Sequence, residues 1–230
     1  MIAKSWKIGL VGVAAVALFL AAPAVQAAWF GSEEKKEVDE SIPLDGADKI
    51  NISFSVGELE IVHGPDDTIE IEGKITIKSH NRRRIERLLE ELELDIETGD
   101  TISITLPKSG MGKNYGIELT VRVPRGVDLD VGLKVGVLKA EIEMPASARF
   151  EVNVGELAIR MPRSTSAEVY ASVSIGEVEV EGFDEHGASS RRRHLLGASY
   201  EGAIGENEAA TERRLRAEVN IGEVSVKGRS

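Results

Sequence analysis

The residue types that most often carry catalysis or bind metals are sparse in this sequence. It contains no cysteine, which excludes disulfides, thiolate metal sites and a cysteine nucleophile. None of its histidines stands at a metal-ligand spacing such as HExxH, and no G-x-S-x-G elbow, P-loop or dinucleotide-binding glycine pattern occurs. These histidines are His63, His80, His186 and His194. We therefore predict no catalytic residue, no metal ligand and no cofactor, and we expect that the chain is not an enzyme.

The one repeated polar feature is a glutamate that directly follows a glycine. It occurs as Glu58, Glu156, Glu177 and Glu223. If Glu156 and Glu177 lie on neighbouring strands, their carboxylates are about 5 Å apart and form part of an acidic stripe. Such a stripe could bind a cation or a basic partner. It could equally be a solvated edge at which each glutamate simply avoids the core.

Two arginine clusters stand out in an acidic chain. They are Arg82–Arg84 and Arg191–Arg193, in a sequence with a formal net charge of −11. They could bind an anionic envelope polymer, or they could be solvated loop and helix ends. The overall negative charge repels phosphate backbones and anionic membranes, so we expect no nucleic-acid partner.

An internal repeat organises the chain around a set of glycines. Apolar residues lie three and one positions before each glycine, and two and four positions after it. The glycines are Gly57, Gly136, Gly155, Gly176 and Gly222. The preceding pairs are Phe54 and Val56, Leu133 and Val135, Val152 and Val154, Val173 and Ile175, and Val219 and Ile221. The following pairs are Leu59 and Ile61, Leu138 and Ala140, Leu157 and Ile159, Val178 and Val180, and Val224 and Val226.

The apolar pattern changes phase across each glycine. Side chains alternate between the two faces of a strand, so both halves of the unit can face one core only if the chain bends between them. Glycine permits the positive φ that such a corner requires. We predict that the five glycines are structural corners and that all four apolar positions fill a shared interior.

The spacing of the glycines predicts an all-β fold. Intervals of 19 and 21 residues separate Gly136, Gly155 and Gly176, close to one turn of a coil of short strands. Stacked turns of this kind form a right-handed β-solenoid-like fold. A β-sandwich or roll is the alternative. Between the strands, leucines and Ile85 recur at helical spacing over residues 81–92, which predicts one amphipathic helix that caps the stack.

The N-terminus carries the features of a secretory signal peptide. Lys4 and Lys7 precede an apolar run that ends near Pro23 and a small-residue sequence up to Ala27. We predict a signal peptide at residues 1–27, a charged linker at 28–41 and a β-repeat domain at 42–230. The alternative is an uncleaved anchor, and only then do we expect contact with a membrane.

The repeat words resemble the bacterial "putative adhesin" domain family of unknown function. The matching words are Ser55-Val56-Gly57-Glu58-Leu59, Val154-Gly155-Glu156-Leu157, Ile175-Gly176-Glu177-Val178 and Ile221-Gly222-Glu223-Val224. The unit at Gly136 departs from this pattern, since Val137 replaces the acid. The segment from Met161 to Val180 is also similar to the C-terminal domain of cell-wall-active antibiotic response proteins.

Together with the predicted signal peptide, the resemblance to the adhesin family implies an exported, non-catalytic domain in the periplasm or at the cell surface, which binds an envelope protein or polymer. Two alternatives stay open. One is a regulatory sensor of cell-envelope stress, and the other is a carbohydrate-active enzyme built on a β-helix.

Overall fold

Period-two alternation of aliphatic and polar residues dominates the chain after residue 42, and the computed structural model accordingly consists almost entirely of strands. It describes residues 32–79, 81–91, 93–106, 115–183, 185–193, 195–205 and 212–229. The elements are β1 (Ser32–Pro43), β2 (Lys49–His63), β3 (Thr68–Ser79), α1 (Arg82–Glu91), β4 (Asp95–Glu97), β5 (Thr101–Thr105), β6 (Tyr115–Val123), β7 (Asp128–Glu141), β8 (Ser147–Pro162), β9 (Ala167–Glu181), β10 (Glu185–Arg193), β11 (Ala198–Ile204) and β12 (Arg214–Arg229).

All of the strands belong to one sheet. Its order is β1-β3-β6-β2-β7-β8-β12-β9-β11-β10, with β5 beside β2 and β4 beside β5. The five central strands, β2, β7, β8, β12 and β9, are parallel neighbours. At one end β6 pairs in parallel with β2 and carries the antiparallel β3, and at the other end β11 pairs antiparallel with β9. The all-β prediction is therefore confirmed, and the strands do not divide into the two sheets of a sandwich.

The central strands cannot be straight. Neighbouring β7 and β8 are parallel, so β8 begins beside the beginning of β7. The connection, residues 142–146, can reach at most about 20 Å, whereas a straight strand of 14 residues is about 45 Å long. The chain can return over so few residues only because β7 itself folds back along its length. A parallel pair of straight strands needs a crossover of a dozen residues or more.

The fold-back encloses an aliphatic core. Three rows of buried side chains cross the central strands, three positions before the glycines and two and four positions after them. The first row comprises Phe54, Leu133, Val152, Val219 and Val173. In the second row Leu59, Leu138, Leu157 and Val224 are buried, and Val178 packs partly buried against the core. In the third row Ile61, Ala140, Ile159, Val226 and Val180 are buried.

The regular coil predicted from the repeat is not what the strand order shows. β12 lies between β8 and β9, so the glycine units do not stack in the order of the sequence. The long interval between Gly176 and Gly222 contains the β10–β11 hairpin, with β11 against β9. Because this hairpin occupies one side of β9, β12 pairs on the other side. The prediction that successive units are always neighbours is therefore wrong.

Next to β2, two short strands replace one bent strand. β5 pairs with the first half of β2 and β6 with its second half, both in parallel orientation. Beyond them, Gly73 of β3 adopts a φ of +143°, a bend that the repeat pattern did not identify. The signal was missed because β3 runs antiparallel and lacks the apolar spacing of the five units.

Part of the predicted linker is a strand. Residues 28–41 were predicted to be a charged linker, but from Ser32 onward the chain forms β1, which pairs with β3 along its full length while most of its side chains stay exposed. The dense charges of this segment suit an edge strand, where they discourage pairing with another chain. This part of the prediction is wrong, and residues 28–31 lie outside the described residues.

The single helix in the described ranges, α1, covers most of the segment predicted as helical. Ile85 and Leu88 are buried, and α1 packs against β3 and β1. Within those ranges no helix has the length and apolar character needed to cross a bilayer. The predicted signal peptide at residues 1–27 lies outside the described residues.

Candidate interaction surface

The five repeat glycines form a continuous stack across the central strands. Gly57 pairs with Gly136, Gly136 with Gly155, Gly155 with Gly222, and Gly222 with Gly176. Their φ angles lie between +138° and +142°, a region that side chains oppose. A Cβ atom added to Gly155 would lie 1.8 Å from the carbonyl oxygen of Gly136. Both the backbone angle and the close approach therefore require glycine.

The corner at this stack turns a row of aliphatic side chains outward. The residues directly before the glycines are exposed by 36% to 48%, although their type and spacing predicted burial. We call them the aliphatic row: Val56, Val135, Val154, Ile221 and Ile175, in the order of the strands. The prediction that they fill the core is wrong, because the bend begins before the glycine and carries the preceding residue to the outside.

The aliphatic row continues beyond the last central strand. The amide of Gly176 donates a hydrogen bond of 2.8 Å to the carbonyl oxygen of Leu196, which places the Leu195-Leu196 turn beside the corner. The side chains of Leu195 and Leu196 are 99% and 63% exposed. At the other end, Val56 and Tyr115 line a groove of about 480 Å³ together with charged side chains such as Glu33, Glu58 and Lys78. The apolar surface thus extends past the five strands at the β9 end, toward the Leu195-Leu196 turn.

The predicted acidic stripe runs beside the aliphatic row, on the other side of the glycines. In strand order it consists of Glu58, Glu156, Glu223 and Glu177, with Val137 between the first two. All four glutamates are exposed. The expected neighbours Glu156 and Glu177 are not adjacent, because β12 places Glu223 between them. That detail of the prediction is wrong and follows from the strand order.

Among the side chains that the structure describes, these four carboxylates form no ion pair, whereas several other outward carboxylates do. The Nζ atom of Lys227, for example, lies 2.8 Å from a carboxylate oxygen of Glu179 and 2.8 Å from one of Glu181. The hydrogen bonds to these two carboxylates raise the pKa of its ammonium. Arg216 lies 2.7 Å from Glu218, and its hydrogen bonds lower the pKa of that carboxyl. In the described part of the chain, the acidic stripe thus carries negative charge without ion pairs, although the ammonium of Lys74 interacts electrostatically with Glu58.

On its other side, the aliphatic row is bordered by mostly neutral polar residues. They lie two positions before the glycines and are Ser55, Lys134, Asn153, Asn220 and Ser174. The side-chain amide of Asn220 donates a hydrogen bond of 2.6 Å to the side-chain oxygen of Asn153. The surface is therefore asymmetric, with amides and hydroxyls on one flank and carboxylates on the other.

The histidines and the arginine clusters are not part of the aliphatic row or the acidic stripe, and several of their side chains lie outside the described residues. His63, at the end of β2, accepts a hydrogen bond at Nε2 from the backbone amide of Glu143. Burial lowers its pKa, with a smaller opposing effect from the nearby Glu143. His80 and His194 lie outside the described residues, as does the side chain of His186.

Each arginine cluster adjoins a regular element. Arg82–Arg84 begin α1, and Arg191–Arg193 end β10. The guanidinium of Arg191 lies 5.6 Å from the ring centre of Tyr200, a cation–π distance. In the part of the chain that the structure describes, no three acidic or histidine side chains are grouped to hold a metal ion.

Comparison with known proteins gives a likeness of fold. No protein-family model matches the sequence, and no curated protein matches it either. The structure is similar to that of a "putative cell adhesion protein" from Clostridium sporogenes, with a TM-score of 0.54 and 18% identity over 85% of this chain and 100% of that chain. The fold is therefore shared with that protein.

Two weaker likenesses are to a "putative adhesin" and a "putative lipid binding protein", both from Parabacteroides distasonis. Their TM-scores are 0.27 and 0.26, and their identities 10% and 13%. They cover 65% of this chain in each case, and 58% and 70% of those chains. At this level of superposition they carry no argument.

Proposed function

We propose that this chain is an exported, non-catalytic interaction domain of the cell envelope or cell surface, which binds an envelope protein or polymer through the outer side of its glycine corner. The observation that carries the proposal is the aliphatic row. Five exposed aliphatic side chains lie in line on inner strands of the sheet, where they do not improve the solubility of the protein. Exposed apolar stripes with a polar border are typical of interaction sites.

The proposed location rests on the predicted signal peptide at residues 1–27 and on the shared fold. The protein from Clostridium sporogenes bears a cell-adhesion name, and an adhesin-like role at the surface agrees with an exported chain. A row of surface side chains can bind a partner without a deep pocket, whereas an enzyme needs acids, bases or a nucleophile that converge on a substrate. We therefore keep the non-catalytic role as part of the proposal.

The experiment is a binding assay with the full chain, produced in a host that exports it. Washed envelope fractions are incubated with the purified protein, and the bound fraction is measured with increasing protein concentration. Saturable binding at micromolar protein supports the proposal. Binding that does not saturate, or no binding, contradicts it. Turnover of acidic polysaccharides by the same preparation would contradict the non-catalytic role, and co-purification of a membrane signalling protein would favour the envelope-stress sensor instead.

A further inference from the structure

The aliphatic row and the acidic stripe together define what a partner must present. The row lies on strands whose backbones already pair on both sides within the sheet, since β7, β8 and β12 are all internal. A partner therefore cannot add a strand there, and recognition must come from its side chains. The partner needs an apolar stripe against the row and positive charge against the unpaired carboxylates of the stripe.

The dimensions of the row favour a helix that lies across the strands. Five neighbouring strands place the row along four strand spacings, about 19 Å. An α-helix advances about 5.4 Å per turn, close to the spacing of about 4.8 Å between strands, and spans 19 Å in about 13 residues. An apolar stripe with one residue or two per turn can thus meet each aliphatic side chain of the row in succession.

We infer that the aliphatic row and the acidic stripe form a docking site for a cationic amphipathic helix of another protein. This inference rests on the proposed function and specifies the partner's chemistry. The stripe glutamates Glu58, Glu156, Glu223 and Glu177 face lysines or arginines on one flank of the helix, while its apolar stripe covers Val135, Val154 and Ile221. A second copy of the chain would offer Lys134 from the flank of its row and Lys78 from the groove beside Val56, and these two cations complement four carboxylates poorly.

The probe is a synthetic, fluorescein-labelled helix of 14 residues with leucines along one stripe and lysines along one flank. Two control peptides separate the requirements. In the first, glutamates replace the lysines, and in the second the same residues are rearranged so that the leucines surround the helix. Fluorescence anisotropy with the full chain measures the dissociation constant at low and high salt. Wild-type protein should bind the lysine-bearing probe at least tenfold more tightly than either control peptide.

Protein variants then locate the contact. Val135→Thr, Val154→Thr and Ile221→Thr, combined, keep a β-branched shape but remove the apolar surface, and should weaken binding at least tenfold with an unchanged urea midpoint. Glu156→Gln with Glu223→Gln should weaken binding severalfold and flatten its salt dependence. Tyr170→Thr is the matched control, because Tyr170 is 38% exposed on β9 but lies six residues before the corner. It should leave binding unchanged.

Four results would overturn the inference: equal binding of the three peptides, no effect of the threonine variant, a wild-type dimer that the threonine substitutions dissociate, or binding of phosphatidylcholine vesicles in place of the peptide. If the triple variant unfolds, Val154→Thr alone gives the same comparison. Envelope binding separates the two proposals. Should the threonine variant still bind envelope fractions as wild type does, the docking site is wrong and so is the glycine corner as the binding surface, while the envelope-binding role stands; if wild type binds no envelope, that role itself fails.

Discussion

The inner and outer faces of the strands beside the glycine stack carry the same kinds of side chain in opposite environments. Three residues before the glycine, Val152 is fully buried, while Val154, one residue before it, is 36% exposed. On a straight strand these two positions share a face. The difference teaches that a corner built by backbone geometry, rather than by residue polarity, decides which aliphatic side chains stabilise the fold and which remain available to a partner.

The largest effect is expected where the corner itself is broken. Gly155→Ala places a Cβ atom against the carbonyl oxygen of Gly136 and strains a φ of +142°, so the variant should lose roughly 4 kcal/mol of unfolding free energy or fail to fold. Gly132→Ala is the control in β7, where the nearest atom is 3.9 Å away. It should change stability by less than about 1 kcal/mol. Urea unfolding measures both, and equal stability of the two variants would refute the corner.

The next effect compares the inner and outer faces directly. Val152→Thr buries a hydroxyl in the aliphatic core and should cost about 1–3 kcal/mol. Val154→Thr exposes the same hydroxyl to water and should change stability by less than about 0.5 kcal/mol. Both are measured by urea unfolding monitored by circular dichroism. A loss for Val154→Thr as large as that for Val152→Thr would mean that the aliphatic row serves folding.

A half-buried histidine at the end of β2 offers a pH-dependent comparison. Burial lowers the pKa of His63, so the folded chain binds fewer protons there than the unfolded chain does. The contribution of His63 is present above its ordinary pKa of about 6.5 and is lost as the pH falls through the lowered value. The urea midpoint should fall more between pH 7.5 and 5.5 in wild type than in His63→Gln. An identical pH dependence would show that His63 titrates alike in both states.

The smallest effect concerns repulsion along the acidic stripe. Glu223 lies between Glu156 and Glu177, so Glu223→Gln should raise stability by up to about 0.5 kcal/mol at low salt, and this gain should vanish at 0.5 M salt. Glu179→Gln is a contrast, because Glu179 pairs with Lys227, and it should give no such gain. A marked loss of stability in Glu223→Gln would instead indicate a cation bound by the stripe.

The sequence was sufficient to predict the strands and the equivalence of the glycines, because both follow from local rules. Alternation indicates strands, and a phase change at a glycine indicates a bend. It could not predict which residue the bend turns outward. The buried positions three residues before and two residues after the glycine are an odd number of residues apart, so the alternation of faces must break between them. Val154 and Glu156 are both candidates for the residue that is turned outward. Polarity favoured Glu156, but the structure turns both outward.

The order of the strands in the sheet was the other feature that the sequence could not predict. Nothing local to Gly222 indicates that β12 inserts between β8 and β9, because all of the units carry similar side chains and would pair with one another. The edge strand β1 was missed for a related reason. Its run of glutamates and lysines has no apolar period, yet the strand pairs with β3 along its full length.

The outward orientation of the aliphatic row can be tested most directly with single cysteines, since the natural chain has none. The rate of maleimide labelling is measured for Val154→Cys and Val152→Cys in the native state and in urea. We expect the cysteine at position 154 to react in the native state at nearly its rate in urea, and the one at position 152 to react only after unfolding. Protection of both cysteines in the native state would contradict the outward orientation of the row.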